Sequence, residues 1–186
     1  MQGVRTPNGT LWNGATVPAL CLDLDGTVRH SKTGEFIIGT DDVAIFPDVE
    51  EKIWEYRDKG YLILGITNQG GVAMGFKTPQ QVNDELDMMF ALFIRSVSGM
   101  GPFHMVKQCF HMEGEKASFP FNRRSLLRKP NIGMLAIMEV EAFNEGYLIE
   151  WDNSLFVGDR PEDEQCAKKA GIPFQWAHQF FNRGAK

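Results

Sequence analysis

Cysteine is scarce in this sequence, and long apolar runs are missing. The 186 residues include three cysteines, Cys21, Cys109 and Cys166, an odd number at wide spacing. Such usage argues against a disulfide framework and favours reduced thiols. The stretch MQGVRTPNGTLWNG at the start lacks the apolar core of a signal peptide, and no run approaches the roughly 18 apolar residues of a membrane span. We therefore expect a soluble, cytoplasmic protein with no membrane partner.

An excess of positive charge is also absent. The chain has 24 acidic and 19 basic side chains, with a formal net charge of −5. Its overall field therefore does not attract nucleic acid or anionic lipid, although a local basic patch stays open as an alternative. The sequence does not indicate an oligomeric state.

Short apolar runs alternate with amphipathic segments along most of the chain. A chain of this length fits one domain and buries roughly 70% of its unfolded surface. Alternating strands and helices predict parallel strands joined by right-handed crossovers. We therefore predict an α/β fold, namely a three-layer, Rossmann-like parallel sheet with helices on both faces and a small cap or none. Residues 1–17 are predicted as an N-terminal loop or hairpin, and residues 18–186 as one domain with small insertions near 30–46 and 111–129.

Polar residues collect where the predicted strands end. The apolar run ALCLDLDGT places Asp23 and Asp25 two residues apart, so that both side chains can face one crevice. Gly26 permits a sharp turn and the close approach of a ligand. A single aspartate at a strand end is equally consistent with a turn or a helix cap. The whole set favours a ligand site, because ligands of open α/β sheets bind beyond the carboxyl ends of the strands. The other members are Thr67, Asn68, Gln69, Gly158, Asp159 and Arg160.

Four motifs in this order resemble those of the haloacid dehalogenase (HAD) superfamily of phosphotransferases. They are DLDGT at 23–27, ITNQG at 66–70, RKPNIGM at 128–134 and VGDRPED at 157–163. A lone D-x-D-G-T is a moderate signal, whereas four motifs in sequence, each at a predicted strand end or helix start, are a strong one. The resemblance covers about residues 19–174 and implies a phosphatase with a HAD-like fold.

The resemblance also implies roles for individual residues. Asp23 would be the nucleophile that forms an aspartyl-phosphate, and Asp25 the general acid and base. Thr67 and Lys129 would donate to the non-bridging phosphate oxygens. A hard cation that prefers oxygen ligands, Mg²⁺, is the expected cofactor. Its expected ligands are the side chains of Asp23 and Asp159 and the backbone carbonyl of Asp25, with Asp163 as a weaker candidate.

Within the superfamily, the second and third motifs resemble one subgroup. It contains histidinol-phosphate phosphatases, heptose-bisphosphate phosphatases and polynucleotide 3′-phosphatases. Arg128 matches a substrate-recognition arginine of that subgroup, and an arginine suits bidentate contact with an anion. The residues that we expect to contact substrate are Ser31, Gly34, Asn68, Gln69, Arg128 and Arg160.

The small-molecule phosphatases of this subgroup often carry a zinc loop before the third motif. Cys109 and His111 keep its first half, but Ser125 and Leu127 stand where the second pair of ligands should be. A structural zinc site needs four ligands. We therefore expect no structural zinc, and this departure weakens the heptose and histidinol assignments.

The sequence leaves the substrate open between two classes. We favour a small phosphorylated metabolite of the sugar phosphate or histidinol phosphate type. The alternative is a 3′-phosphate end of DNA or RNA. The stretch FPFNRRSLLRK supports it, because Phe119 and Phe121 alternate with Arg123 and Arg124 in a way that suits stacked bases and phosphates. A third hypothesis is a catalytically silent binding protein with the same fold.

Overall fold

A five-stranded parallel sheet forms the centre of the molecule. The computed structural model describes residues 15–93 and 101–184. The sheet has the order β6-β5-β2-β8-β9, and each neighbouring pair is parallel. Two short pairs of strands lie outside it: β1 with β7, which is parallel, and β3 with β4, which is antiparallel. The strands are β1 Ala15–Val17, β2 Ala19–Asp23, β3 Arg29–Ser31, β4 Val43–Ile45, β5 Leu62–Asn68, β6 Met105–Cys109, β7 Tyr147–Ile149, β8 Leu155–Gly158 and β9 Phe174–Trp176.

Helices connect these strands in the described residues. They are α1 Val49–Asp58, α2 Gly70–Ala73, α3 Pro79–Ala91, α4 Gly133–Asn144, α5 Pro161–Ala170 and α6 Ala177–Phe180, with short 3₁₀ turns at Thr40–Asp42 and Trp151–Asn153. Local signals account for several boundaries. The Thr78 side chain accepts a hydrogen bond from the backbone N–H of Gln81, which caps α3, and Gly171 ends α5 in the left-handed conformation. Within the described residues, every helix is too short or too polar to cross a bilayer.

Two apolar cores, one on each face of the sheet, make the fold three-layered. Along β2, Leu20 and Leu22 pack into the core that contains residues of α1, α3 and α6. Ala19 and Cys21 point the other way, into the core that contains residues of α4 and α5. This alternation is the period of two that a strand imposes on its side chains. The predicted α/β class with helices on both faces is confirmed.

The two predicted insertions lie at the carboxyl edge of the sheet. Residues 30–46 are largely the β3–β4 hairpin and its connecting loop, and residues 111–129 contain turns and bends without a helix or strand. In the N-terminal extension, Ala15–Val17 pairs with Tyr147–Ile149, while residues 1–14 lie outside the described part of the chain. The division into an extension and one domain stays a prediction.

Candidate active site

Three carboxylates from two parts of the sequence meet at the carboxyl edge of the sheet. Asp23 is the last residue of β2, Asp159 follows β8 directly, and Asp163 lies in the first turn of α5. Each offers a carboxylate oxygen, and these oxygens all lie within 4.8 Å of one another. Asp23 and Asp163 are buried, whereas Asp159 is exposed. Since β2 and β8 are parallel neighbours, their ends bring the first and fourth motifs together.

Two glycines make this approach sterically feasible. A Cβ atom on Gly26 would lie 2.2 Å from Oδ2 of Asp159, and Gly26 also has a φ of +93° that other residues rarely adopt. A Cβ atom on Gly158 would lie 2.4 Å from the Cβ atom of Asp163. The glycines of the first and fourth motifs therefore provide the space that the carboxylates occupy.

Lys129 is buried within the cluster, and its ammonium group contacts two of the three carboxylates. Its Nζ donates to Oδ1 of Asp23 and to the backbone carbonyl of Ile66, the latter at 3.1 Å. Nζ lies 2.7 Å from Oδ1 of Asp163. Burial by itself would lower the pKa of Lys129, but Asp23 and Asp163 outweigh it and raise that pKa above its usual value. Lys129 is therefore a permanent cation of the site.

The loop that carries Lys129 is anchored by Asn68 at the end of β5. Nδ2 of Asn68 donates to the carbonyl of Lys129, and the Lys129 N–H donates to Oδ1 of Asn68, both at 3.0 Å. The second motif thus fixes the backbone of the third. The substrate contact expected for Asn68 stays a prediction, and this anchoring was not foreseen from the sequence.

Asp25 lies in a different set of contacts from Asp23. Arg29 donates through Nε to Oδ1 of Asp25 at 2.8 Å. Oδ2 accepts from Thr67 Oγ1 at 3.0 Å and from Nε2 of Gln69. Burial raises the pKa of Asp25, but the Arg29 guanidinium and these hydrogen bonds outweigh it and hold the pKa below its usual value. Arg29 was missed by the sequence analysis, which assigned it no role.

Negative charge exceeds positive charge around Asp23. Burial raises the pKa of Asp23 well above its usual value; Lys129 opposes this, and Asp163 and Asp159 add to it. Burial and the neighbouring Asp163 also raise the pKa of Asp159. Oδ2 of Asp23 is buried and has no hydrogen-bond partner within the described residues. An all-oxygen cluster with surplus negative charge and a buried unpaired oxygen fits a hard divalent cation.

Ser31 is the last residue of β3, and Gly34 lies in the loop that follows, which is organised around the carboxylate of Asp42. Ser31 Oγ donates to Asp42 at 2.7 Å and accepts from the backbone N–H of Gly34 at 2.8 Å. The Asp42 carboxylate also accepts from the backbone N–H of Thr33 and Ile38, at 3.0 and 3.1 Å. The hydrogen bond from Ser31 is the main cause that lowers the pKa of Asp42 to about 2. The substrate contacts expected for Ser31 and Gly34 stay predictions.

A basic cleft of about 290 Å³ adjoins Lys129. Arg123, Arg124 and Arg128 line it, together with one acidic residue, Glu113, and other residues of the 111–131 segment. NH1 of Arg128 donates to the carbonyl of His111 at 3.1 Å, which holds this arginine against the same segment. The cleft is therefore suited to an anionic group beside the carboxylate cluster.

Arg160 follows Asp159 in the chain and directly precedes α5. Its side chain is exposed, and its backbone N–H donates to Oδ2 of Asp163 at 3.0 Å. The structure thus gives Arg160 a backbone role in orienting Asp163. The contact of its guanidinium with substrate stays a prediction.

Solved structures share this fold and identify the class. A protein of Mesorhizobium loti assigned to the HAD-like phosphatases superposes with a TM-score of 0.70 at 25% identity, covering 92% of this chain and 74% of that one. The D,D-heptose 1,7-bisphosphate phosphatase of B. bronchiseptica, complexed with magnesium and phosphate, gives 0.67 at 22% identity, covering 85% and 79%. The second likeness shows the fold. Together with sequence relatives that are named phosphatases, the first defines the chain as a HAD-type phosphatase.

Sequence relatives come from both branches of the subgroup. The D-glycero-beta-D-manno-heptose-1,7-bisphosphate 7-phosphatase of Yersinia pestis is 32% identical over 160 residues, covering 84% of this chain and 78% of the relative. The polynucleotide 3′-phosphatase ZDP of Arabidopsis thaliana is 27% identical over 170 residues, covering 86% of this chain but 23% of the relative. The family model of polynucleotide kinase 3 phosphatase matches residues 19–181. The chain belongs to this family.

Proposed function

We propose that this phosphatase is Mg²⁺-dependent and acts through an aspartyl-phosphate on Asp23. The observation that carries the proposal is the state of the Asp23 carboxylate. One of its oxygens is held by Lys129, while the other is buried without a partner in the described residues, in a cluster with Asp159 and Asp163. A buried carboxylate oxygen without a partner is costly, and a bound cation would supply the missing partner.

The proposed reaction has two steps. In the first, an oxygen of Asp23 attacks phosphorus, the bond from phosphorus to the ester oxygen breaks, and Asp25 passes a proton to that oxygen. In the second, Asp25 takes a proton from water, and the water oxygen attacks phosphorus. Inorganic phosphate leaves and the carboxylate of Asp23 is restored. Because Arg29 and the other donors hold the pKa of Asp25 low, the proton that Asp25 first passes on enters with the substrate or with water. The proton that Asp25 takes from water in the second step is released to solvent with the products, so that its carboxylate is restored as well.

The residues present fit Mg²⁺. Asp23 and Asp159 would hold it with the backbone carbonyl of Asp25, and Asp163 adds negative charge beside them. When bound, the ion neutralises carboxylate charge and draws the anionic phosphate towards the anionic nucleophile. The protein's own contribution is to hold Asp23 in place through Lys129 and to exclude solvent from the buried side of its carboxylate.

Thr67 and Lys129 have different supporting roles. Thr67 is buried and donates to Asp25, so in the resting site it orders the general acid and base. Lys129 supplies positive charge next to the nucleophile, where it would also offset the charge on the transferred phosphoryl group. Their contacts with phosphate oxygens follow from the resemblance to the superfamily.

We propose a small phosphorylated metabolite as the substrate, of the sugar bisphosphate type. The cleft beside Lys129 measures about 290 Å³, close to the lower end of small-ligand sites, and three arginines line it. A substrate with a second phosphate would therefore place one phosphate at Asp23 and the other among the arginines. The relative from Yersinia pestis is named for a reaction on such a bisphosphate.

A nucleic-acid 3′ end is the second candidate. It is supported by the family model, by the Arabidopsis relative and by Phe119, whose side chain is 89% exposed in the same segment as Arg123 and Arg124. An exposed aromatic ring beside arginines suits a stacked base next to a phosphate backbone. The acidic net charge of the chain counts against this candidate.

The test is turnover of a panel of substrates at matched concentration. The panel contains sugar bisphosphates, sugar monophosphates, histidinol phosphate and a 3′-phosphorylated oligonucleotide. The sugar bisphosphate should give the highest kcat/KM, and Arg123→Ala combined with Arg124→Ala should lower it about tenfold or more. Preference for the oligonucleotide, lost in Phe119→Ala, would select the second candidate.

The Asp23→Asn variant tests the chemistry itself. An amide is a poor nucleophile and a poor cation ligand, so turnover of every substrate should fall about 10³-fold or more. Beryllium fluoride should form an adduct on Asp23 in the wild type. Activity that persists in this variant, or an adduct on another residue, would contradict the aspartyl-phosphate, and a wild type without turnover would favour a binding protein.

A further inference from the structure

Arg29 is a fully buried arginine that lies two residues after the end of the first motif. Its side chain has no exposed surface. The backbone N–H of Arg29 donates to the carbonyl of Leu24 at 2.9 Å, and its carbonyl accepts from the N–H of Gly26 at 2.8 Å. Arg29 and Asp25 therefore belong to one closed turn that leads from β2 to β3. The turn keeps the backbones of Asp25 and Arg29 close together, so that the guanidinium can reach the carboxylate.

The contacts of Asp25 divide between its two oxygens. Thr67 and Gln69 both donate to Oδ2. Oδ1 accepts from Nε of Arg29 at 2.8 Å, and NH2 of Arg29 lies 3.5 Å from Oδ2. Within the described residues, Arg29 is thus the side chain that holds Oδ1. If Arg29 were removed, the carboxylate would stay attached through one oxygen and its plane would be free to turn.

Stability alone is a weak reason for this buried ion pair. Burying a guanidinium costs several kcal/mol in desolvation, and apolar replacements of buried ion pairs are often neutral or stabilising. Moreover, NH1 of Arg29 is buried without a hydrogen-bond partner in the described part of the chain. An apolar side chain of the same length would fill this space without such an unpaired group. Such a side chain would not supply the hydrogen bonds to the Asp25 carboxylate.

We propose that Arg29 is a positioning residue that fixes the plane of the Asp25 carboxylate for proton transfer to the leaving group. The proposal rests on the proposed function, because it takes Asp25 as the general acid and base. Arg29 itself does not touch the reacting atoms. Its effect should therefore depend on how much the leaving oxygen needs a proton.

Two substrates separate this role from a structural one. An alkyl phosphate such as glycerol phosphate has a basic leaving oxygen that needs a proton, whereas p-nitrophenyl phosphate has a leaving oxygen that departs without one. In Arg29→Met, kcat/KM for the alkyl phosphate should fall about 30- to 100-fold, which is up to the lower end of the roughly 10²- to 10⁴-fold that general acid catalysis contributes, because the acid is misplaced and not removed. For p-nitrophenyl phosphate it should fall less than about threefold. Asp25→Asn should show the same dependence on the leaving group, only larger.

A matched control is available elsewhere in the chain. Arg183 donates through Nε to Asp48 at 2.8 Å and lies over the rings of Phe46 and Phe181. Arg183→Met also removes a largely buried arginine from a carboxylate, and should lower kcat/KM for the two substrates by one common factor. Arg29→Lys keeps the charge but loses the planar guanidinium, so its kcat/KM for the alkyl phosphate should lie between those of wild type and Arg29→Met. If thermal melting shows that Arg29→Met is unfolded, Arg29→Lys replaces it in the test.

Equal losses for both substrates in Arg29→Met and Arg29→Lys, or no loss for either, would overturn the proposal while the proposed function stands. Full activity of Asp23→Asn would instead refute the aspartyl-phosphate mechanism, whatever the arginine variants do. The two failures are therefore distinguishable in one set of measurements.

Discussion

Asp23 and Asp25 lie two residues apart, yet their surroundings are opposite. Asp23 shares one buried ammonium group, that of Lys129, with Asp163, and Asp159 is close by. Asp25 has a guanidinium partner in Arg29. Burial and surplus carboxylates raise the pKa of Asp23, whereas Arg29 and two neutral donors keep that of Asp25 low. The first environment still lacks positive charge and suits a cation and a phosphate group; the second is already neutralised and suits a group that must hold one orientation.

The largest change in stability should come from Lys129→Met, which removes the cation from the surroundings of Asp23. The variant leaves Asp23 and Asp163 buried without their shared cation, so we expect a loss of about 3–5 kcal/mol in the free energy of unfolding of the metal-free protein. Chemical denaturation in the presence of a chelator measures it. Added Mg²⁺ should restore part of the loss, because it replaces some of the missing positive charge. A variant as stable as wild type in chelator would contradict the surplus of negative charge.

The next effect is that Asp23→Asn and Asp25→Asn should change the free energy of unfolding in opposite directions. In chelator at neutral pH, Asp23→Asn should stabilise the protein by about 1–2 kcal/mol, since it removes a buried and under-compensated charge. Asp25→Asn should destabilise it by about 1–2 kcal/mol, a figure reduced because the Asp25 side chain is 34% exposed.

The same signs appear in the pH dependence. The raised pKa of Asp23 contributes stability that is present below its unfolded pKa and lost as pH rises through the folded value. The lowered pKa of Asp25 contributes stability that is present above its unfolded pKa and lost as pH falls through the folded value. Denaturation of the two asparagine variants across pH measures both terms. Shifts of the same sign for both variants would remove the distinction between the two environments.

A smaller effect should follow from Asn68→Ala, which releases the backbone of Lys129. The two hydrogen bonds at 3.0 Å are lost, so Lys129 should be less well placed next to Asp23. We expect kcat to fall about tenfold with little change in KM, because a 1.4 kcal/mol loss in positioning corresponds to that factor. Steady-state kinetics with a sugar phosphate measures it. A rise in KM at constant kcat would instead support the predicted substrate contact of Asn68.

The smallest effect concerns His104, which serves as a reference outside both environments. Its Nδ1 accepts a hydrogen bond from the N–H of Ile63 at 2.8 Å, which requires a neutral ring. Burial, with a contribution from Arg57, lowers the pKa of His104 to about 4. Its contribution to stability is therefore complete above its unfolded pKa near 6.5 and is lost as pH falls towards 4.

The comparison for His104 is His104→Asn, which keeps an acceptor but does not titrate. Wild type should lose about 1 kcal/mol more than this variant between pH 7 and pH 4, a figure kept low because the ring is partly exposed. Thermal melts across this range measure the difference. Identical slopes would place the acid sensitivity of the fold entirely in the carboxylates.

The contacts of single residues mark the limit of the sequence analysis. The four motifs were sufficient to predict the sheet, both helical layers and the meeting of Asp23 with Asp159, because motifs at the carboxyl ends of parallel strands converge at one edge. The motifs were also sufficient to predict that Lys129 points into the site, since its loop directly precedes a helix. They did not reveal that Asn68 binds the backbone of Lys129 or that Asp42 organises the loop after β3. Asn68 and Lys129 are 61 residues apart in the sequence, and Ser31 and Asp42 are 11 residues apart. Whether such residues come within hydrogen-bond distance is decided by packing and not by a local pattern.

By itself, the sequence determined the fold class and most of the chemical groups at the site, with Arg29 as the exception. Strand and helix periodicity, two aspartates at a strand end and glycines in tight turns are local properties, and local properties can be recognised along the chain. Only the tertiary structure decided how charge is shared among those groups. The pKa of a carboxylate depends on burial and on partners a few ångströms away, and those partners, Lys129 for Asp23 and Arg29 for Asp25, are chosen by packing in three dimensions.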